Sequence, residues 1–193
     1  SDALLVNNTV EGNTAAGIHT GGGDPDIRNC IVWNNSGAEI DVASGTPAVT
    51  YSCVQGGYTG TGNIGTDPLF VDAANGEYHL KSTFGHWDET TEDWVADTQS
   101  SPCLDVGDPA SAYAEEPAAN GGRANLGAYG NTAQASRSGL SGPTFVFSPP
   151  SVSVTEDGSV DVTVAISAQP SADVTATIAF AGGADSDLTV TLG

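Results

Sequence analysis

An all-β architecture is predicted, a parallel β-solenoid followed by a partial antiparallel β-sandwich, and three observations predict it. First, VNNTVEGN (Val6–Asn13), IRNCIVWN (Ile27–Asn34) and TYSCVQGG (Thr50–Gly57) superimpose. Their starts lie roughly 22 residues apart, a spacing typical of stacked repeats, each of which buries its apolar face only against its neighbours. Second, Gly, Thr, Ser, Asn and Asp abound, Met is absent, and β-branched residues dominate the apolar set; that composition favours strands joined by tight turns. Third, beyond Pro143 apolar residues alternate strictly with polar ones, the period of strands with one wet face.

The elements follow in order. Residues 1–130 are read as solenoid coils with a C-terminal capping region. Strands are expected at Leu4–Val10, Gly17–Thr20, Ile27–Val32, Ala38–Val42, Val49–Val54, Leu69–Val71 and Tyr78–Lys81, separated by the turn sequences GGGDPD, ASGTP and GGYTGTGN. Aligning the repeats puts Asn8, Asn29 and Ser52 in one column, a ladder of hydrogen-bonding side chains between coils, and Thr9, Cys30 and Cys53 in the next. Residues 82–107 are the least regular stretch, expected as a loop folded back on the solenoid through Trp87 and Trp94. Arg123 is expected to pair with Asp105, Asp108, Glu115 or Glu116 and so close the end of the solenoid. Residues 131–142 are polar and small, as in a linker.

The segment 143–193 carries the alternating series Phe145, Phe147, then Val152, Val154, then Val160 to Ile166, Val174 to Phe180, and Leu188, Val190, Leu192. About five strands fit, where an immunoglobulin-like sandwich has about seven. Strand addition from a neighbouring chain would complete such a sandwich, and so would further residues of the same polypeptide. The chain also opens directly in a rung, so the expected assembly surface comprises Leu4, Leu5, Val6, Phe145, Phe147, Leu188, Val190 and Leu192.

The formal net charge is −20, and only Arg28, Lys81, Arg123 and Arg137 are basic. Phosphate binding needs clustered Lys and Arg, so nucleic acid is excluded as a partner, and an anionic membrane surface is disfavoured. No apolar run is long enough to span a bilayer. An acidic chain can instead hold Ca²⁺ through converging carboxylates. The candidates are Glu156, Asp157, Asp185 and Asp187 in the sandwich loops and Asp24 with Asp26 in a solenoid turn.

Cys30, Cys53 and Cys103 match no metal-ligand spacing; they are candidates for disulfide formation, with Cys103 able to join either of the others. His19, His79 and His86 form no zinc pattern. A glycosidase needs two carboxylates facing across a cleft; Asp24 with Asp26, or Glu39 with Asp41, are the first pairs to consider, with capping of the turns as their ordinary role. Trp87 and Trp94 are candidates for stacking on sugar rings. No catalytic residue is assigned.

At NCIVWNNSG, YSCVQGG, GNIGTDPLFVD, SPCLDVGDP and NGGRANLGAYGNTAQAS the chain resembles the C-terminal part of secreted bacterial right-handed parallel β-helix proteins of the pectate-lyase-like superfamily. That resemblance implies an extracellular β-helix within a larger surface protein. FSPPSVSVTEDGSVDVTVAISAQPSADVTATIAF is similar to the first half of a Calx-β-like sandwich, whose relatives are adhesion or spacer modules, some of them binding Ca²⁺. The expected function is therefore an extracellular or cell-surface structural and adhesive protein, a fibre subunit completed by strand addition or a homo-oligomer. The alternative is a carbohydrate-active β-helix, a polysaccharide lyase or hydrolase, or a non-catalytic polysaccharide binder.

Overall fold

A computed structural model describes residues 3–118 and 120–139, and the two strands Phe145–Ser148 and Thr163–Ile166. The chain is all-β. In order the strands are β1 (Leu4–Val6), β2 (Thr9–Glu11), β3 (Ile18–Gly21), β4 (Asp26–Arg28), β5 (Ile31–Trp33), β6 (Ile40–Ser44), β7 (Ala48–Thr50), β8 (Cys53–Val54), β9 (Phe70–Asp72), β10 (Glu77–Leu80), β11 (His86–Asp88), β12 (Asp93–Val95), β13 (Phe145–Ser148) and β14 (Thr163–Ile166). A single 3-10 turn at Ala73–Asn75 joins β9 to β10.

The three long strands expected at Leu4–Val10, Ile27–Val32 and Val49–Val54 are each broken in two. The cause is backbone geometry. Asn7, Asn29 and Tyr51 hold φ values of 53°, 54° and 45°, the left-handed region that ends a strand and turns the chain. The corner recurs on schedule: Gly12, Asn34 and Gly56 form a second row with positive φ, and Gly23 with Gly45 a third. Asn and Gly tolerate this conformation; Tyr51 is the bulky exception.

Between the corners lie three parallel sheets, ordered β1–β4–β7, β2–β5–β8 and β3–β6. Leu5 pairs with Ile27 and Ile27 with Val49; Val10 pairs with Val32 and Val32 with Val54; Ile18 pairs with Ile40. Polar side chains span the same interval of 22 residues: Asn13 Nδ2 donates to Asn35 Oδ1 at 2.7 Å, His19 meets Asp41 at 2.7 Å, and Thr46 donates to Asp24 at 2.7 Å.

This register corrects the sequence alignment, which slips by one residue in its middle member. Cys30 lies beside Ser52, whose Oγ accepts from the Cys30 N–H at 3.1 Å, while Cys53 is paired with Ile31. The amide ladder sits at Asn13 and Asn35; Asn29 instead shares its row with Asn7 and Tyr51. A shift of one residue moves a side chain to the opposite face of a strand, so Cys30 and Cys53 end in different cores.

Two cores result. The first gathers Ile27, Cys30, Val32, Val49 and Val54, flanked by Leu5, Val10, Ile18 and Ile40, so all three parallel sheets contribute to it. The second packs Ile31 and Cys53 against Leu80, Cys103 and Leu126. The sheet β2–β5–β8 is therefore buried on both faces, the usual condition of a parallel sheet. The run Cys30-Ile31-Val32 is wholly inaccessible as a consequence.

The covering layer begins with the antiparallel pair β9–β10 and continues through the hairpin β11–β12, which forms within the stretch 82–107 expected to be irregular; the rest of that stretch has no strand. Residues 131–138, expected as linker, pack onto this layer. Ala135 and Ser136 are buried, Ser136 Oγ donates to the Leu80 carbonyl at 2.6 Å, and Arg137 N donates to the Gly85 carbonyl at 2.9 Å. Arg123 finds carbonyls where carboxylates were expected: its guanidinium donates to Val106 and Gly107 and lies over the Tyr51 ring at 5.6 Å.

The chain divides into Ser1–Gly142 and Pro143–Gly193. Within the second unit β13 and β14 pair antiparallel, Phe145 opposite Ile166 and Ser148 opposite Thr163. The calcium candidates Glu156, Asp157, Asp185 and Asp187 and the assembly residues Leu188, Val190 and Leu192 lie outside the described residues.

Candidate functional site

At the end of β2 and β5, Glu11 and Trp33 are register partners. Asn34 turns the chain immediately after them at φ 54°. These residues meet Asp67, Leu69, Phe70, Ala73 and Lys81 around an open groove of about 240 Å³. Its polar floor is ordered. Glu11 Oε1 accepts from Asn34 Nδ2 at 2.9 Å, and Oε2 accepts from the Tyr78 hydroxyl at 3.2 Å. Desolvation first, and then the Glu11 hydrogen bond, push the Tyr78 phenol above its ordinary value, so it remains a donor. Tyr78 is held edge-on to Phe70 with ring centroids 5.4 Å apart.

Trp33 is only half-buried here, although it also packs on the second core. A half-exposed indole beside carboxylates, an amide and an ammonium group offers a flat apolar face rimmed by donors and acceptors. That is the chemistry a sugar ring requires.

A second cavity of about 320 Å³ lies beside the first corner row, lined in part by Asn7, Arg28, Asp108, Ser111 and Asn131. Asn7 Oδ1 and Arg28 Nε are buried there without a hydrogen-bond partner among the described residues. Arg28 also pairs with Asp26 at 3.4 Å.

The structure distributes the residues singled out from the sequence rather than gathering them. Asp24 Oδ1 accepts from both the N–H and the hydroxyl of Thr46, which lowers its pKa. Glu39 is bonded to Asn35, and Asp41 to His19. His79 is fully buried, bonded to Glu77 through Nδ1 and stacked on Tyr129 at 3.5 Å, while His86 bonds Asp97 at 2.8 Å. Among the described residues no group of three or more His, Cys, Asp or Glu side chains is placed to hold a metal ion. No described helix is long and apolar enough to cross a membrane.

Trp87 and Trp94 are cross-strand partners on β11 and β12, with centroids 5.4 Å apart at 66°. The Arg137 guanidinium covers the Trp94 ring at 4.0 Å, so one face of that ring is already occupied. Of the assembly residues expected on β1, Leu4 is 60% exposed, whereas Leu5 packs on the first core. Sequence reasoning passed over Glu11, Trp33 and Tyr78. The signal for the first two was present, since they end equivalent strands of the repeat, but the slipped alignment hid their pairing.

The fold and groove together define a class: an all-β protein of stacked parallel strands with an aromatic, acid-rimmed groove at one sheet end. The family model described as disaggregatase related matches residues 4–107, and the chain belongs to that family. No curated protein and no solved structure matches the chain.

Proposed function

We propose that this chain is a structural and adhesive module of an extracellular surface protein, its three ladders forming the coils of a right-handed parallel β-helix of the pectate-lyase-like kind. The observation that carries the reading is the constant interval of 22 residues, kept by three parallel sheets around one shared core and repeated in the polar pairs Asn13–Asn35 and His19–Asp41. Stacked coils give a stiff, easily extended scaffold, and the net charge of −20 favours solubility outside the cell. In this reading residues 143–193 belong to a Calx-β-like sandwich, and the chains join into a fibre by strand addition between neighbours.

Size-exclusion chromatography over a wide concentration range, with negative-stain microscopy of the same samples, tests the assembly. Concentration-dependent filaments are expected; a monomer at every concentration would sink the fibre reading.

The groove at Trp33 favours a second reading, a polysaccharide-binding or carbohydrate-active β-helix. The family's name ties its members to disaggregation, which suits a module that contacts an extracellular polymer. A panel of neutral, acidic and amino-sugar polysaccharides, read by quenching of Trp fluorescence, tests it. Binding that disappears in Trp33→Ala and persists in Trp87→Ala supports the groove, whereas binding unaffected by Trp33→Ala counts against it.

A further inference from the structure

All three cysteines are fully buried with free thiols, but they are not equivalent. Cys30 belongs to the first core, where its Sγ donates to the Arg28 carbonyl at 3.2 Å. Cys53 projects from β8 into the second core, where it meets Cys103 from the covering layer. The two side chains share one buried cluster, and Cys53 Sγ donates to the Thr66 carbonyl at 3.2 Å. Each is also held in place by backbone: Cys53 N donates to the Cys30 carbonyl at 2.8 Å, Cys103 N donates to Ser101 Oγ at 3.0 Å, and the Cys103 carbonyl accepts from Leu126 N at 2.9 Å. The sheet itself separates Cys30 from the other two.

We propose that Cys53 and Cys103 form a disulfide when the chain folds in an oxidising compartment, clasping the covering layer to the outer face of β2–β5–β8 and leaving Cys30 as a free thiol. The oxidant is a small-molecule disulfide such as oxidised glutathione. One cysteine thiolate attacks it, forming a mixed disulfide and releasing one glutathione thiolate. The second cysteine thiolate then attacks the protein sulfur of that mixed disulfide and expels the other glutathione. The protein loses two protons and two electrons, and the oxidant leaves as two reduced glutathiones. The neighbouring Cys53 thiol and burial both push the Cys103 thiol well above its ordinary value, so thiolate is scarce once the layer is closed. The bond therefore forms during folding, before the layer docks.

The test refolds the full chain from denaturant in a glutathione redox buffer, alkylates free thiols under denaturing conditions, and maps the unreduced digest by mass spectrometry. The expected result is one alkylated cysteine, Cys30, and a peptide linking Cys53 to Cys103. Closing a loop of about 50 residues should raise the thermal midpoint by about 10 °C over the reduced chain. Cys30→Ser should keep both the cross-link and the shift, and Cys103→Ser should abolish both. Three alkylated cysteines, a cross-link involving Cys30, or an equal midpoint in oxidised and reduced chains would overturn the proposal.

Discussion

Replacing Asn29 tests the corner geometry on which the stacked strands depend. The side chain is fully buried at φ 54°. Its Oδ1 accepts from Asp108 N at 2.7 Å and its Nδ2 donates to Ser111 Oγ at 3.0 Å, tying the corner to a segment far along the chain. Asn29→Ala keeps the backbone but places a Cβ-only residue in the left-handed region, at a cost of about 1 kcal/mol. It also leaves the Asp108 N–H without its acceptor, which adds about 2 kcal/mol. The sum is about 3 kcal/mol, a large part of a typical domain's stability. Asn29→Gly removes the conformational strain but not the lost hydrogen bonds, so it should fall about 1 kcal/mol short of the alanine variant's loss. Urea unfolding followed by Trp fluorescence measures both. An alanine variant within about 0.5 kcal/mol of the parent, or a glycine variant less stable than alanine, would refute the reasoning.

Glu116 is buried, its Oε1 accepting from Asn125 N at 2.7 Å and Asn131 N at 2.8 Å, while desolvation raises its pKa to about 6. Because the folded value lies above the unfolded one, its contribution is fully present below about pH 4.5 and is lost as pH rises through about 6; Glu116→Gln, which keeps the acceptor without the charge, should gain about 2 kcal/mol relative to the parent between pH 4.5 and 7. An identical pH dependence in both proteins would count against this assignment. A Cβ on Gly45 would lie 1.8 Å from the Gly23 carbonyl oxygen, where two corners stack, whereas one on Gly12 would meet open space. Denaturant titration should therefore show Gly45→Ala losing about 3 kcal/mol and Gly12→Ala about 1 kcal/mol. The His19–Asp41 pair spans the paired strands β3 and β6 at 2.7 Å but is about half-exposed on each side; His19→Ala should change stability by less than about 0.5 kcal/mol at pH 7.

Much of the scaffold was legible because it is local and repeated. The interval near 22 residues, the Gly and Asn at turns, and the apolar sites at Leu5, Ile27 and Val49 are features of short segments that recur at a fixed spacing. The register was not legible to the last residue. Matching Ile27 with Val6 and Thr50 preserves the apolar pattern nearly as well as matching it with Leu5 and Val49, and the choice is made by the positive-φ row of Asn7, Asn29 and Tyr51. Of the groove, Trp33 and Glu11 could have been found once that register was known. Tyr78, Asp67 and Lys81 could not, because they reach it from a separate part of the chain.

By itself the sequence determined an all-β chain, the positions of most turns, and a strongly acidic composition, since composition, alternation and turn chemistry are properties of short segments. Only the tertiary structure decided that β2–β5–β8 is covered on both faces, that Arg123 is satisfied by carbonyls, and that Cys53 belongs with Cys103 and not with Cys30. Those outcomes depend on which distant segment docks on the outer face of a strand, and each is settled by packing between residues that carry no mark of one another along the chain.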